Sequence, residues 1–353
     1  MATRSLAAVR LLASPGRLAL VALGAAIVAA MVIRVAQTIV EGAFPPHLWA
    51  QQFANGLALG FVYALIALGY TLVYGILFMI NFAHGEVLML GAFAGFFVLD
   101  ASERAGLIAA SPLGIVALAF LAGMTVSTLA GILLERIAYR PLRGAPRLVP
   151  LISAIGASIF LQNAALLTFG PKIKVYPTKS VDFLSGGQSF GETFIPNTSL
   201  MIMALTILMM FGLVLVVNRT RFGKAMRAVA EDKPTAQLMG IDVNKIIMLT
   251  FALGSLLAGV AGVMLGFHNR QVNHTVGFVP GLKAFTAAVL GGIGNIPGAM
   301  LGGVFLGLAE SLGPMAFQIP SGYKDVIAFT LLVLVLVFRP TGLMGERLAR
   351  KRA

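Results

Sequence analysis

The chain has 353 residues, of which 58% are hydrophobic and only 11% are charged. This composition excludes an ordinary soluble domain and is typical of an all-α integral membrane protein. The net charge is +13, and most of the Lys and Arg residues fall into four short segments, 1–17, 135–149, 218–245 and 339–353. Positive residues concentrate in cytoplasmic loops of membrane proteins, so this charge indicates topology and no nucleic-acid partner is expected. The chain has no Cys and only four scattered His, so no metal site is predicted.

The first 50 residues carry a basic lead and then an apolar run from Leu18 to Ile33, which continues past Arg34 to Val40. A basic start followed by an apolar stretch resembles a secretory signal peptide, but this stretch is longer than such peptides use. We therefore expect an uncleaved membrane span whose N-terminus is cytoplasmic. The chain divides into this N-terminal segment at 1–50, a transmembrane domain at 51–345 and a basic cytoplasmic tail at 346–353.

The later apolar runs predict roughly eight to ten transmembrane or half-membrane helices, some of them broken by Gly, because a full crossing needs about 20 apolar residues. Outer loops are expected at Asp100–Ser111 and Gly170–Thr198. The predicted spans are Phe53–Met79, which leads into the apolar stretch Ile80–Gly95, and the runs Leu113–Leu134, Ile152–Phe169, Leu200–Val217, Ile246–Phe267, Ala284–Ser311 and Val326–Phe338.

Three polar residues, Asn81, His84 and Glu86, interrupt the apolar sequence INFAHGEVLMLGAFAG. Polar side chains at membrane depth are tolerated where they face the protein interior or a wet cavity. The cluster therefore predicts either part of a substrate path, with Glu86 partnered inside the bundle, or a short turn at the membrane surface.

Two further apolar runs contain isolated polar residues. Gln162 and Asn163 lie deep in one run, so we expect both to face other helices and not lipid. Glu310 lies near the end of another and should be buried against a neighbouring span or subunit. Glu86 and Glu310 are the two candidate ion-binding residues within spans, and the sequence indicates no intramembrane Asp or Lys that would pair with them.

The basic segment Asn218–Lys245 is polar, yet it contains the signals of ordered structure. Pro234 suits the first turn of a helix, and Glu231 and Asp232 precede it, where carboxylates are favoured. Gly240 is placed as a helix terminator, and Asp242 can cap the following span. The pattern predicts a short helix between two bends that another protein can grip; the alternative is a basic loop that only fixes topology.

The apolar run Ala284–Ser311 is broken at its centre by Gly291, Gly292, Gly294, Asn295 and Pro297. Each half is expected to be too short to cross the membrane alone, with Asn295 capping the second half. Broken helices of this kind often line transport sites. The junction therefore predicts either a lining or hinge of the substrate path, or a tight turn between two packed helices.

Five segments of the sequence resemble the LivH-type permeases, which are membrane subunits of ABC importers for branched-chain amino acids. They lie in the same order as in that family, and the resemblance extends from about Asn55 to Gly345. Residues 1–50 depart from the family pattern. The five segments are INFAHGEVLMLGAF, ERIAYRPLR, LISAIGASIFLQN, RAVAEDKPTAQLMGI and FTAAVLGGIGNIPGAMLGG.

The resemblance implies a non-enzymatic permease in the bacterial inner membrane that pairs with a second, LivM-like permease. Two cytoplasmic ATPase subunits and a periplasmic or extracellular binding protein would complete the importer. ATP and any cofactor would then belong to partners, and the chain has no G-x-x-x-x-G-K-[ST] phosphate loop. The residues implied to couple the chain to the ATPases are Arg227, Glu231, Asp232, Pro234, Gly240 and Asp242.

The substrate path is predicted to contain mostly neutral polar groups, which suit a zwitterion or a neutral polar solute. The alternatives are a related importer for urea or short amides and an ion-coupled secondary transporter; no catalytic constellation for an enzyme is found. The predicted path residues are Asn81, His84, Glu86, Gln162, Asn163, Gly292, Gly294, Asn295 and Glu310.

Overall fold

The computed structural model describes residues 33–34, 36–146, 148–178, 181–339 and 341–344. Within these ranges the protein is almost entirely helical, and eight of its helical segments are long and apolar enough to cross a membrane. The predicted all-α membrane fold is therefore confirmed. Most of the predicted N-terminal span and the predicted basic tail lie outside the described residues.

The helices are numbered here in chain order. The long helices before the basic segment are α1 Pro46–Leu77, α2 His84–Arg104, α4 Pro112–Leu134, α5 Leu148–Phe169 and α7 Asn197–Arg219, with the short helices α3 Leu107–Ala110 and α6 Asp182–Ser185 between them. The basic segment holds α8 Arg221–Glu231 and α9 Lys233–Leu238, and the remaining helices are α10 Val243–Asn269, α11 Phe278–Gly291, α12 Ile296–Ala316 and α13 Lys324–Phe338.

Helix α1 is the central element, since it packs against α12, α10 and α11 and most of its length is buried. Its contact with α12 depends on glycines from both helices. At Gly60 an added Cβ would lie 2.8 Å from the Cα of Val304, and at Gly56 it would lie 2.7 Å from the Cβ of Ser311. Small residues let helix backbones approach closely in a membrane, where packing replaces the hydrophobic effect. Glycines on both helices thus permit the close contact between α1 and α12.

A second close contact joins α2, α4 and α10. A Cβ at Gly91 would lie 2.8 Å from the Cα of Gly259, and Ser127 Oγ donates a 2.9 Å hydrogen bond to the Val87 carbonyl. This hydrogen bond satisfies the Ser127 hydroxyl, which cannot bond to water inside the bundle. Together with α1, these three helices form a closely packed core that contains Asn55, Tyr63, His84 and Glu86.

The outer connections contain four short strands that form two antiparallel pairs. Strand β1 (Lys174–Val175) pairs with β4 (Gln271–Val272), and β2 (Gly187–Phe190) pairs with β3 (Thr193–Pro196). The predicted outer loop Asp100–Ser111 was wrong in part, because α2 continues to Arg104 and α3 follows almost at once. Arg104 and Asp100 form an ion pair one helical turn apart, which stabilises this extension.

The Gly-rich break between α11 and α12 lies at residues 292–295. Gly292 and Gly294 have φ angles of 108° and 95°, which L residues with side chains rarely adopt, and Asn295 Oδ1 accepts a 2.9 Å hydrogen bond from Gly298 N. The expectation of two short halves was correct for α11, with 14 residues, and wrong for α12, whose 21 residues suffice for a span. Helix α12 is longer because it continues through Pro314 to Ala316.

Two of the predicted basic segments meet at one end of the bundle. Arg143, in the connection between α4 and α5, donates a 2.5 Å hydrogen bond to Asn244 at the start of α10. Arg143 also pairs with the buried carboxylate of Glu135. The two segments therefore lie on the same side of the membrane, in agreement with the topology that the charge pattern predicts.

Candidate functional site

The polar cluster at the start of α2 lies inside the bundle. Phe78 adopts a left-handed conformation after α1, and the chain then turns back so that α2 begins at the buried His84. Asn81 is only 3% exposed, and its Oδ1 accepts a 2.8 Å hydrogen bond from the hydroxyl of Tyr139. These residues are therefore buried within the bundle, and both roles, part of a substrate path and a turn at the membrane surface, stay predictions.

Glu86 is held by side chains from α5. Its Oε1 accepts hydrogen bonds from Gln162 Nε2 at 2.7 Å and from Ser158 Oγ at 3.3 Å. The ring of His84 packs edge-on against Tyr70, with ring centroids 4.7 Å apart. The structure thus brings together four of the predicted path residues, Asn81, His84, Glu86 and Gln162, and His84 lies beside Tyr70 in the C-terminal half of α1.

Three buried polar atoms in this region have no hydrogen-bond partner among the described residues. They are His84 Nε2, Glu86 Oε2 and Thr71 Oγ1. Unsatisfied buried polar atoms are rare in folded proteins and call for a specific explanation, such as a solute or a second conformation that satisfies them. His84 Nε2 and Glu86 Oε2 belong to the polar cluster, and a path that opens during a transport cycle would account for them; Arg143, His274 and Asp325 carry the other such atoms among the described residues.

Asn163 does not join this cluster. Its side chain is exposed in the single chain and donates a 2.8 Å hydrogen bond to the Ile159 carbonyl of its own helix. Within this chain Asn163 points outward while Gln162 points inward, because adjacent residues on a helix point about 100° apart; that Asn163 faces other helices stays a prediction.

The glycine-rich junction is separate from the polar cluster. Asn295 Nδ2 donates a 3.0 Å hydrogen bond to the Met344 carbonyl, and Leu343 N donates to the Leu290 carbonyl at 2.7 Å. The chain after α13 thus closes over Gly292 and Gly294. Their part in the path remains a prediction.

Glu310 belongs to a second polar site, which the sequence did not reveal in full. Its Oε1 lies 2.7 Å from Lys283 Nζ, and its Oε2 accepts a 2.9 Å hydrogen bond from the Tyr63 hydroxyl. Lys283 also forms a 2.6 Å ion pair with Asp325. The expectation that no intramembrane Lys or Asp pairs with Glu310 was wrong. The sequence does show Lys283 beside the apolar run of α11 and Asp325 at the start of α13. These two residues become neighbours only in the folded chain, so the sequence alone does not pair them.

This second site opens into a cavity of about 880 Å³ at the ends of α1, α10, α12 and α13 that lie opposite the basic segments. Glu310 contributes to its wall although its side chain is only 1% exposed, and Asn55, His268, Arg270 and Lys324 line it as well. The volume is at the upper end of the range for small-molecule pockets. Tyr63, which contacts Glu310, precedes Tyr70 by seven residues on α1, so the two polar sites are about 10 Å apart along that helix.

The basic segment folds as its local sequence predicts. Asp232 Oδ1 caps α9 by accepting from Thr235 N at 3.1 Å, and Pro234 lies in the first turn. Gly240 has a φ of +82°, and Asp242 caps α10 by accepting from Lys245 N at 3.0 Å. Arg227 donates to the Val217 carbonyl at the end of α7 and so fastens α8 to the bundle.

The coupling groove, as we name it here, is a depression of about 340 Å³ between Phe78 and residues 229–234. Predicted residues Glu231, Asp232 and Pro234 line it, whereas Gly240 and Asp242 lie beyond it. Lys233 also lines it, and burial together with the nearby Arg143 lowers the pKa of Lys233 below its ordinary value. Among the described residues, no group of three or more His, Asp or Glu residues is arranged to hold a metal ion.

Cysteine substitution provides a test of the polar cluster, because the chain has no natural Cys. We expect Asn81→Cys and His84→Cys to resist a membrane-impermeant thiol reagent in the resting protein, since both positions are at most 3% exposed. If the cluster lines the path, modification should accelerate during turnover. Ser189→Cys, on the exposed strand β2, serves as a control that reacts in every state. Equal protection of both inner positions in every state would contradict a role in the path.

The fold and its two polar sites define a multi-pass membrane transport protein, in which spanning helices enclose polar groups and a structured basic segment lies at one end. Residues 52–336 match the family described as branched-chain amino acid transport system / permease component. The chain belongs to this family. It is a transport subunit of the plasma membrane, and permeases of this ABC type act with ATPase and substrate-binding components.

The curated relatives extend the similarity over nearly their whole length. The chain is 52% identical to the high-affinity branched-chain amino acid transport system permease protein BraD of Pseudomonas aeruginosa, over 84% of this chain and 96% of BraD. It is 46% identical to the corresponding LivH of Escherichia coli K12, over 84% of this chain and 95% of LivH. A probable LivH of Methanocaldococcus jannaschii is 28% identical over 80% of this chain and 88% of that protein.

Proposed function

We propose that this protein is the LivH-type subunit of an ABC importer that moves branched-chain, neutral aliphatic amino acids into the cell. The observation that carries the proposal is the 52% identity with a permease of that named function over almost the full length of that relative. We further propose a LivM-like permease as partner, two cytoplasmic ATPase subunits at the coupling groove and an external substrate-binding protein. The chain itself is proposed to bind no cofactor.

The structure supports a division of labour within the chain. The coupling groove is formed by α8, α9 and Phe78, and Phe78 immediately precedes the segment that carries Asn81 and His84. A displacement of α9 by an ATPase subunit would therefore act directly on the segment that leads into the polar cluster. Such a short mechanical connection suits an importer in which ATP is hydrolysed outside this chain.

The substrate is tested by reconstituting the complete importer in proteoliposomes and measuring ATP-dependent uptake of radiolabelled leucine. We expect saturable uptake that isoleucine and valine inhibit, and that urea and acetamide leave unchanged. Uptake should stop when ATP is replaced by a non-hydrolysable analogue and persist when ionophores remove ion gradients. Inhibition by urea but not by isoleucine would assign the protein to urea or amide import, and dependence on an ion gradient would contradict the ABC mechanism.

Coupling is tested at Gly240, whose left-handed conformation ends α9. No atom lies within 4 Å of a Cβ built at Gly240, so a substitution there acts through backbone strain alone. Gly240→Val should leave the subunit inserted and assembled but reduce uptake and substrate-stimulated ATPase activity by roughly tenfold, because a left-handed residue with a Cβ costs about 1–2 kcal/mol.

Gly240→Asn is the matched control, since Asn tolerates the left-handed region better than Val. It should retain most of the coupled activity. Glu231→Lys, which reverses a charge on the wall of the coupling groove, should reduce coupling without loss of assembly. Wild-type stimulation of ATPase activity in both Gly240→Val and Glu231→Lys would contradict the role of this segment.

A further inference from the structure

We propose that the outer cavity beside Glu310 is a binding site for a free zwitterionic amino acid, in which the ligand replaces Lys324 as the partner of Glu310. This inference rests on the proposed function and adds a site to it: a place in the permease itself that recognises the ammonium and carboxylate groups of the substrate.

The first argument is the state of Glu310. A carboxylate has about four lone-pair positions. Tyr63 and Lys283 occupy one on each oxygen, at 2.9 Å and 2.7 Å. The contact with Lys324 Nζ is 3.8 Å, which is beyond hydrogen-bond distance. Glu310 therefore retains about two lone-pair positions for further donors, and it forms part of the cavity wall.

The second argument is the exposure of the alternative partner. The Lys324 side chain is 52% exposed and lies at the cavity edge, whereas Lys283 is 4% exposed and fixed between two carboxylates. An incoming ammonium group can take an open position on Glu310 and free Lys324 to bind the carboxylate of the same ligand. After the exchange the ligand ammonium pairs with Glu310 and the ligand carboxylate pairs with Lys324. No charge is left unpaired, so the exchange avoids the cost of removing one partner of a buried ion pair.

The third argument is the composition of the wall. Leu59, Phe44 and Met315 provide an apolar surface beside the charged residues, and Asn55 and Arg270 add further polar groups. A cavity that combines an anion, exposed cations and an apolar wall matches an amino acid with an aliphatic side chain. A simple anion such as a phosphate or a fatty acid would meet the buried Glu310 carboxylate as a repulsive element.

The test uses Ser321→Cys, which places a thiol in the cavity lining, in the assembled importer without nucleotide and without the binding protein. At a leucine concentration about ten times its dissociation constant, modification by a charged thiol reagent should slow about tenfold, because the free fraction of the site falls by that factor. The des-amino analogue 4-methylpentanoate and the des-carboxy analogue 3-methylbutylamine should give no protection. Ser189→Cys on β2 should show no leucine effect.

Lys324 variants test the exchange of partners. In the Ser321→Cys background, Lys324→Met should abolish protection by leucine, and Lys324→Arg should retain it. Glu310→Gln is less suitable because it also removes a partner of the buried Lys283. Absence of leucine protection in an importer that transports leucine would overturn the site while the proposed function stands. Protection by 4-methylpentanoate equal to that by leucine would identify a carboxylate site and also overturn the proposal. Failure of the parent importer to transport leucine would instead contradict the proposed function.

Discussion

Replacing Lys283 with Met is expected to destabilise the folded protein by about 3–5 kcal/mol, the usual cost of breaking a buried ion pair by removing one partner. Lys283 pairs with Glu310 at 2.7 Å and with Asp325 at 2.6 Å, and it thereby joins α11 to α12 and α13. Without it, the Glu310 carboxylate remains 1% exposed with Tyr63 as its close hydrogen-bond donor. The thermal unfolding midpoint of the detergent-purified importer, and the yield of full-length subunit, measure the effect.

The double variant Lys283→Met/Glu310→Gln provides the decisive comparison. It removes both buried charges, keeps a group that can accept from Tyr63, and leaves Asp325 with a side chain that is 43% exposed. It should be more stable than Lys283→Met alone, a recovery that a double-mutant cycle reports as coupling energy. Lys172→Met, at an exposed outer position, should have almost no effect. A Lys283→Met protein as stable as the parent would show that the ion pair does not stabilise the fold.

Gly307→Leu is expected to prevent α1 and α12 from packing. A Cβ at Gly307 would collide with the backbone of Gly60 and of Gly56, so neither neighbour can yield by changing a rotamer. Overpacking of this kind costs about 3 kcal/mol or more when backbone has to move. We expect little folded subunit in the membrane and no assembly with partner subunits, measured by protease resistance and by co-purification.

Gly75→Leu is the matched control for this contact. Gly75 also lies in α1, but no atom is within 4 Å of a Cβ built there. That variant should insert and assemble normally. If Gly307→Leu behaved like Gly75→Leu, the close contact between α1 and α12 would not determine the fold.

Local chemistry was readable from the sequence, and long-range pairing was not. The cap by Asp242, the left-handed Gly240 and the cap by Asn295 were all predicted, because each depends on residues only a few positions apart. The partners of Lys283 lie 27 and 42 positions away, and nothing in the local pattern identifies them. The prediction that α12 is too short to span the membrane failed for a similar reason. Gly and Pro disfavour an isolated helix, but packing against α1 overrides that preference.

The candidate site was also predicted only in part, because contacts between residues far apart in the chain are not visible in the local sequence. Asn81, His84 and Glu86 were identifiable from the sequence as polar residues in an apolar run. The hydrogen bond between Gln162 and Glu86, which shows that Gln162 points inward, is visible only in the structure. A pair of adjacent polar residues on a helix does not reveal which member faces the interior of the chain, and here Gln162 does so and Asn163 does not. The roles of all these residues in transport remain predictions.

The hydrogen bond between Glu86 and Gln162 also has a consequence for how the protein is made. Gln162 follows Glu86 by 76 residues, so at ribosomal rates of 5–20 residues per second it emerges about 4–15 s later. During that interval the first turn of α2 contains a carboxyl group without its partner, and burying a polar group without a hydrogen bond costs free energy. We therefore expect α2 to remain near the insertion machinery or against α1 until α5 arrives. Release of the helices one by one into lipid would expose Glu86 before the side chain that satisfies it exists.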